Sequence, residues 1–216
     1  MMAASEQVVG VLLAGGLSRR MGGGDKNLLQ LGGRPILDHV IERVRPQVSG
    51  LILNANGDPA RFAEYDLPVV PDVIEGYAGP LAGILTGLEW AAREVPDCQW
   101  LASFPTDAPF LPVDLVDRLL AAIEDEGAEM ACALSGDRTH PPIAIWPVRL
   151  RDELRRAMVD EEMRKIDLWT ARYSIVHVTF DNDAIDPFFN INRAENLDEA
   201  EQYLGSAMQQ QTAASQ

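Results

Sequence analysis

The chain has 216 residues, 47% of them apolar, which is enough for one large α/β domain with a well-buried core. Its 18 Lys and Arg against 33 Asp and Glu give a formal charge of −15. That balance disfavours a nucleic-acid backbone or an anionic membrane surface as partner, so a small anion must be drawn in by local cations.

No basic segment precedes an early apolar stretch, and no uninterrupted apolar run approaches the length of a bilayer, so a cytoplasmic location is expected. Cys98 and Cys132 have no CxxC spacing and read as small core residues. A single domain is expected over residues 7–205, with flexible termini at 1–6 and 206–216.

In chain order, the apolar run at 8–13 predicts a buried strand, and Gly15 and Gly16 follow where a βα loop must turn sharply. Backbone N–H groups there can face phosphate oxygens. Arg19, Arg20 and Lys26 place three cations within eight residues of an acidic protein, and an anionic ligand explains that local field. A solvated loop with incidental charges is the alternative on composition alone. Neither the Gly-Lys-Ser/Thr of a Walker loop nor a GxGxxG is present, so the loop is a different kind of phosphate cradle.

Pro35 suits a first helical turn, and Ile36, Leu37, Val40, Ile41 and Val44 form an apolar stripe that Pro46 should end. Strands are predicted at 51–55 and 69–71. They end in Asn54 and Asp72, placing both on the edge that carries the glycine loop. Each is equally an Asx turn closing a strand. A helix starts at Pro80 within Gly79-Pro80-Leu81-Ala82-Gly83, either as a plain helix start or as an apolar wall with free N–H groups for a base or an anion.

A strand at 100–104 runs into Phe104-Pro105-Thr106-Asp107-Ala108-Pro109. Asp107 stands at a strand end stiffened by two prolines, as a hard Mg²⁺ would require, and is locally just as well a turn or cap aspartate. A helix from Val113 closes at Gly127. Strands at 129–134, 142–146 and 174–179 follow, with a hairpin excursion over 139–146 that adds an antiparallel strand.

His140, in Arg138-Thr139-His140-Pro141-Pro142, reads locally as an exposed loop histidine. The 150–172 region is helical and charged, and its Arg and Lys residues read as a solvated face. Asn192-Arg193-Ala194-Glu195 reads as a capping box for a last helix to about Tyr203, with Asn192 as its cap. Strands alternating with helices and no repeat or linker predict an α/β three-layer α/β/α sandwich. Its sheet is mostly parallel, and its ligands sit at the strands' carboxyl ends.

The pattern GGxSxRMGxxDKxLL near the start of the chain resembles that of the nucleotidyltransferases. With Leu-Ala before Gly-Gly, it is most similar to the molybdenum cofactor guanylyltransferases. The resemblance runs from about Val8 to about Leu204 and implies a Rossmann-like nucleotidyltransferase fold. It implies transfer of GMP from GTP to the terminal phosphate of Mo-molybdopterin, with Mg²⁺ as cofactor.

The resemblance also implies roles for single residues. Leu13, Ala14, Gly15, Gly16, Lys26, Asn54, Asp72, Gly79, Pro80, Leu81 and Asp107 would contact GTP. Arg20 and Lys26 would lie on its phosphates, and Asp107 would hold the metal, as the family's PxDxP does. His140 matches a His-Pro step on the pterin side. Asn190 and Asn192 match an Asn-x-Asn motif that is followed here by Arg-Ala rather than the usual Thr-Pro.

A pterin-delivery enzyme and chaperones of molybdoenzymes are the implied protein partners. Gly15-Gly16 favours guanylyl transfer over the Ala-Gly of cytidylyl relatives, the nearest alternative beside sugar-phosphate nucleotidyltransferases. A non-catalytic GTP-binding module is the alternative of another class, and retention of Lys26 and Asp107 argues against it.

Overall fold

A run of apolar residues with no polar face is stable in a sheet only where helices cover both sides. β1 (Val8–Leu13) meets that condition: Val8 and Leu12 enter one core, Val9 and Val11 the other. The computed structural model describes residues 8–14, 29–76, 79–182 and 185–214. A two-residue ribbon of β2 (Gln30–Leu31) and β3 (Arg34–Pro35) leads into α1 (Ile36–Val44), which passes into a 3-10 turn at Pro46.

Then come β4 (Gly50–Asn54), β5 (Val69–Val70), α2 (Pro80–Glu94), β6 (Trp100–Pro105) and α3 (Leu115–Glu126). They are followed by β7 (Met130–Ser135), β8 (Arg138–Pro147), α4 (Arg151–Asp160), α5 (Ile166–Thr170), β9 (Ile175–Phe180) and α6 (Ala194–Ala214). Among the described residues, seven strands form one sheet in the order β5-β4-β1-β6-β8-β7-β9. β8 is antiparallel to both neighbours, and every other pairing is parallel.

α1, α3 and α6 cover one face and α2, α4 and α5 the other, so the sandwich has three layers with a core on each side of the sheet. Each fully buried Leu, Ile or Phe in these cores contributes about 1.5–3 kcal/mol. Arg155 ties α4 to α2 through a two-point contact with Glu89 (2.5 and 2.8 Å), so one of the basic residues of the 150–172 face has a carboxylate partner.

Two expectations change. The last helix continues past Tyr203 to Ala214, through a segment assigned to a flexible tail. The 139–146 excursion begins earlier, at Arg138, and includes His140 in strand. From β1 the chain builds outward to β4 and β5, then returns to the other side of β1 with β6. That reversal leaves a crevice at the carboxyl ends of β1, β4 and β6.

Candidate active site

The three strands end in register. Leu13 lies opposite Asn54 on one side and Pro105 on the other. The Ala14 N–H donates to the Asn54 carbonyl (3.0 Å), and the Thr106 hydroxyl donates to the Leu13 carbonyl (3.2 Å). The chain therefore leaves β1 pinned on both flanks. Gly15, Gly16, Arg20 and Lys26 lie outside the described residues.

Asn54 and Asp72, both expected at this edge, form one unit. Asn54 is 2% exposed, and its Nδ2 donates to Asp72 Oδ1 (2.9 Å) and to the Val70 carbonyl (3.2 Å). Asn56 donates to Asp72 Oδ2 (2.8 Å) and accepts the Asp72 N–H (2.9 Å), a partner that the sequence reading missed. Each carboxylate oxygen keeps further acceptor capacity, in an orientation fixed by two amides. The buried Thr86 hydroxyl accepts the Val73 N–H (3.0 Å) and donates to the Ala82 carbonyl (2.8 Å), which fastens this segment to α2.

α2 approaches the same edge closely. Gly79 caps it at φ 141°, a conformation that favours glycine, and Pro80 fills its first turn. At Gly83 a side chain would collide with Asn54 and Leu13, so the helix can lie against the asparagine only as glycine. The Leu81 side chain is 1% exposed and belongs to the core, leaving the backbone to face a ligand there instead of an apolar wall.

Across the crevice, the late Asn-x-Asn segment reaches the PxDxP turn: the Ile191 N–H donates to the Asp107 carbonyl (2.9 Å). Asn190 Oδ1 is buried with no hydrogen-bond partner among the described residues. A buried acceptor left unsatisfied costs about 1–3 kcal/mol, so its retention points to a ligand. Among the described residues no three His, Cys, Asp or Glu side chains group to hold a metal. One carboxylate and one amide oxygen are a hard donor set, suited to an ion that fills its shell with phosphate oxygens and water.

His140 is placed differently from the loop position expected of it. It lies within β8, 5% exposed, with Nε2 hydrogen-bonded to Ser135 Oγ (2.8 Å) and its ring 4.7 Å from that of Phe188. Burial lowers its pKa, Arg138 adds to that effect, and Asp186 opposes it. Through Phe188 the ring thus props the irregular segment between β9 and α6 that carries Asn190. Asn192 is exposed, and its N–H donates to Asn196 Oδ1 (3.3 Å). α6 starts at Ala194, two residues after Asn192.

Cys98 and Cys132 are buried and form no disulfide among the described residues, as expected of core residues. Burial pushes the Cys132 thiol up to about 12, which keeps it neutral and unreactive.

A doubly wound sheet with pinned strand ends, an oriented carboxylate and a second carboxylate at the switch point defines a nucleotide-binding α/β protein. The chain belongs to the family of the MobA-like NTP transferase domain, whose model matches residues 10–176. It is 57% identical over 194 residues to the molybdenum cofactor guanylyltransferase of Bradyrhizobium sp. (strain ORS 278), covering 90% of this chain and 92% of that one. It is 53% identical over 192 residues to the protein of the same name from Nitrobacter hamburgensis, covering 89% and 92%. The crystal structure of molybdopterin-guanine dinucleotide biosynthesis protein A from Archaeoglobus fulgidus shares the fold. Its TM-score is 0.73 at 24% identity, over 92% of this chain and 99% of that one.

Proposed function

We propose that this protein is a molybdenum cofactor guanylyltransferase. It transfers GMP from GTP to the terminal phosphate of Mo-molybdopterin and releases pyrophosphate. The observation that carries the reading is the meeting of the β1 end, the Asn54–Asp72 unit and the Asp107 turn at the switch point, in a chain more than half identical to proteins of that name.

The acceptor phosphate needs no general base, because a phosphate monoester with a second pKa of roughly 6 is already ionised at neutral pH. Its oxygen forms a bond to the α-phosphorus of GTP. The bond from that phosphorus to the bridging oxygen breaks, and the electron pair leaves with pyrophosphate. Asp72, oriented by Asn54 and Asn56, supplies acceptor positions for the N1–H and 2-amino donors of guanine. Arg20 and Lys26 offset charge along the triphosphate.

Asp107 and Asn190 are the residues that would hold Mg²⁺. When bound, the ion supplies charge neutralisation at the α-phosphate and the departing pyrophosphate. A cytoplasmic enzyme that receives its pterin from a delivery enzyme and serves molybdoenzyme chaperones fits this reading. Among the described residues no helix is long and apolar enough to cross a membrane.

The test is turnover by Lys26→Ala. A cation that stabilises transition-state charge is worth about 3 kcal/mol, so a loss of at least 100-fold in kcat is expected. Near-normal turnover would remove Lys26 from the mechanism.

A further inference from the structure

A second concavity lies beside the nucleotide edge. Between α5 and strands β7, β8 and β9, a cavity of about 270 Å³ opens on the face covered by α2, α4 and α5. At its Cys132 wall the register of β8 against β7 shifts between Cys132 and Ala133, a β-bulge. Ala144, Trp146 and Ile175 make an apolar floor, and Thr139, Asp167 and His177 stand on the rim.

Strand alternation explains why this cavity and the propping histidine share one segment. Thr139 and Pro141 face the cavity, whereas His140 between them points to the opposite core. The lip lies on the catalytic side of the sheet. Thr139 pairs with Leu134 at the end of β7, and the Pro142 carbonyl accepts the hydroxyl of Ser103, just before Thr106 and Asp107 in the chain.

The lining selects its ligand by chemistry. The volume lies below the roughly 300–1,000 Å³ of sites for whole drug-sized ligands, so it suits a ring system and not a complete nucleotide. An indole-walled apolar floor accepts a flat heterocycle. The rim carboxylate of Asp167, which makes no ion pair among the described residues, accepts from two adjacent N–H donors such as those of a 2-amino-4-oxo pyrimidine edge. The same negative charge repels phosphate, so the ring enters and an attached phosphate remains at the strand edge.

We propose that this cavity binds the pterin ring of the acceptor, with Asp167 on its aminopyrimidinone edge. The assignment rests on the guanylyl-transfer reading above.

The test uses 6-hydroxymethylpterin, which carries the ring without phosphate or metal, titrated against the full chain by the pterin's own fluorescence. Asp167→Asn removes the rim charge, and Ala171→Phe fills the cavity from its α5 wall. Both positions are exposed, and GTP affinity checks that each variant is folded. Saturable binding to the wild type, weakened at least tenfold in both variants with GTP affinity within twofold, is expected. The KM for molybdenum-loaded pterin should rise by a similar factor.

No ring binding by the wild type, or wild-type affinity in both variants, would overturn the assignment. Variant-sensitive ring binding without guanylyl transfer would support the cavity and defeat the functional reading. Transfer from GTP with a ring affinity indifferent to both substitutions would do the reverse.

Discussion

Gly83→Ala tests the packing that aims the site. A β-carbon at Gly83 would overlap Asn54 Oδ1 and lie 2.7 Å from Leu13 Cδ2 and 3.1 Å from Asn54 Cγ. Neither neighbour can yield easily: Asn54 is buried and held at Val70 and Asp72, and Leu13 is strand residue at the crevice. Alanine gains about 1 kcal/mol of helix propensity over glycine. Against this stand about 1–3 kcal/mol for overpacking and about 0.5–1.5 kcal/mol for each Asn54 hydrogen bond that is lost.

The net expectation for Gly83→Ala is a loss of about 1–3 kcal/mol, a fall in Tm of roughly 3–10 °C for a chain of this size. Released from Asn54, Asp72 should also bind GTP about tenfold more weakly, a loss of about 1.4 kcal/mol. Gly205→Ala is the control, because among the described residues nothing lies within 4 Å of its added carbon in α6. It should keep the propensity gain and melt at or above the wild type. Scanning calorimetry and GTP titration calorimetry measure both quantities. A Gly83→Ala protein that melts no lower than the wild type and binds GTP as well would refute the reasoning.

Asp107→Asn should lower kcat at least 100-fold while moving Tm by no more than about 2 °C, since the residue is given a ligand role and not a packing one; steady-state kinetics across a Mg²⁺ series measure it. Asn190→Leu removes a buried unsatisfied oxygen, so melting of the ligand-free protein should show no loss of stability even as turnover collapses. His140 makes stability depend on pH. Its folded pKa is lowered, so between the ordinary value near 6.5 and the folded value the unfolded chain binds the extra proton. Stability is therefore full above that window and declines as pH falls through it. Urea midpoints at pH 7.5 and 5.5 should differ less in His140→Gln than in the wild type; equal differences would exclude the histidine as the cause.

The strands were legible because each is a short apolar run closed by a turn signal, and burial on both sheet faces leaves such runs few other structures. The β2–β3 ribbon escaped notice because its strands have only two residues each. Its signal was Gly32-Gly33, at φ 59° and 79°, the positive pair that a two-residue hairpin turn requires. The strand start at Arg138 was hidden by Pro141 and Pro142, which read as loop yet sit beside a bulge.

Local pattern placed Asn54, Asp72 and Asp107 at strand ends, but pairing between distant segments is a tertiary property. Neither the Asn54–Asn56–Asp72 unit nor the Ile191–Asp107 bond has a local signature. His140 shows the same limit: whether a histidine before two prolines is loop or core depends on Ser135 and Phe188 closing around it.

Guanylyl transfer is tested most directly by titrating GTP, CTP, ATP and UTP against the purified protein with Mg²⁺, then following pyrophosphate release with molybdenum-loaded pterin as acceptor. A clear preference for GTP is expected, with pyrophosphate release that requires both GTP and the pterin. A preference for CTP, or GTP binding without turnover on that acceptor, would contradict it.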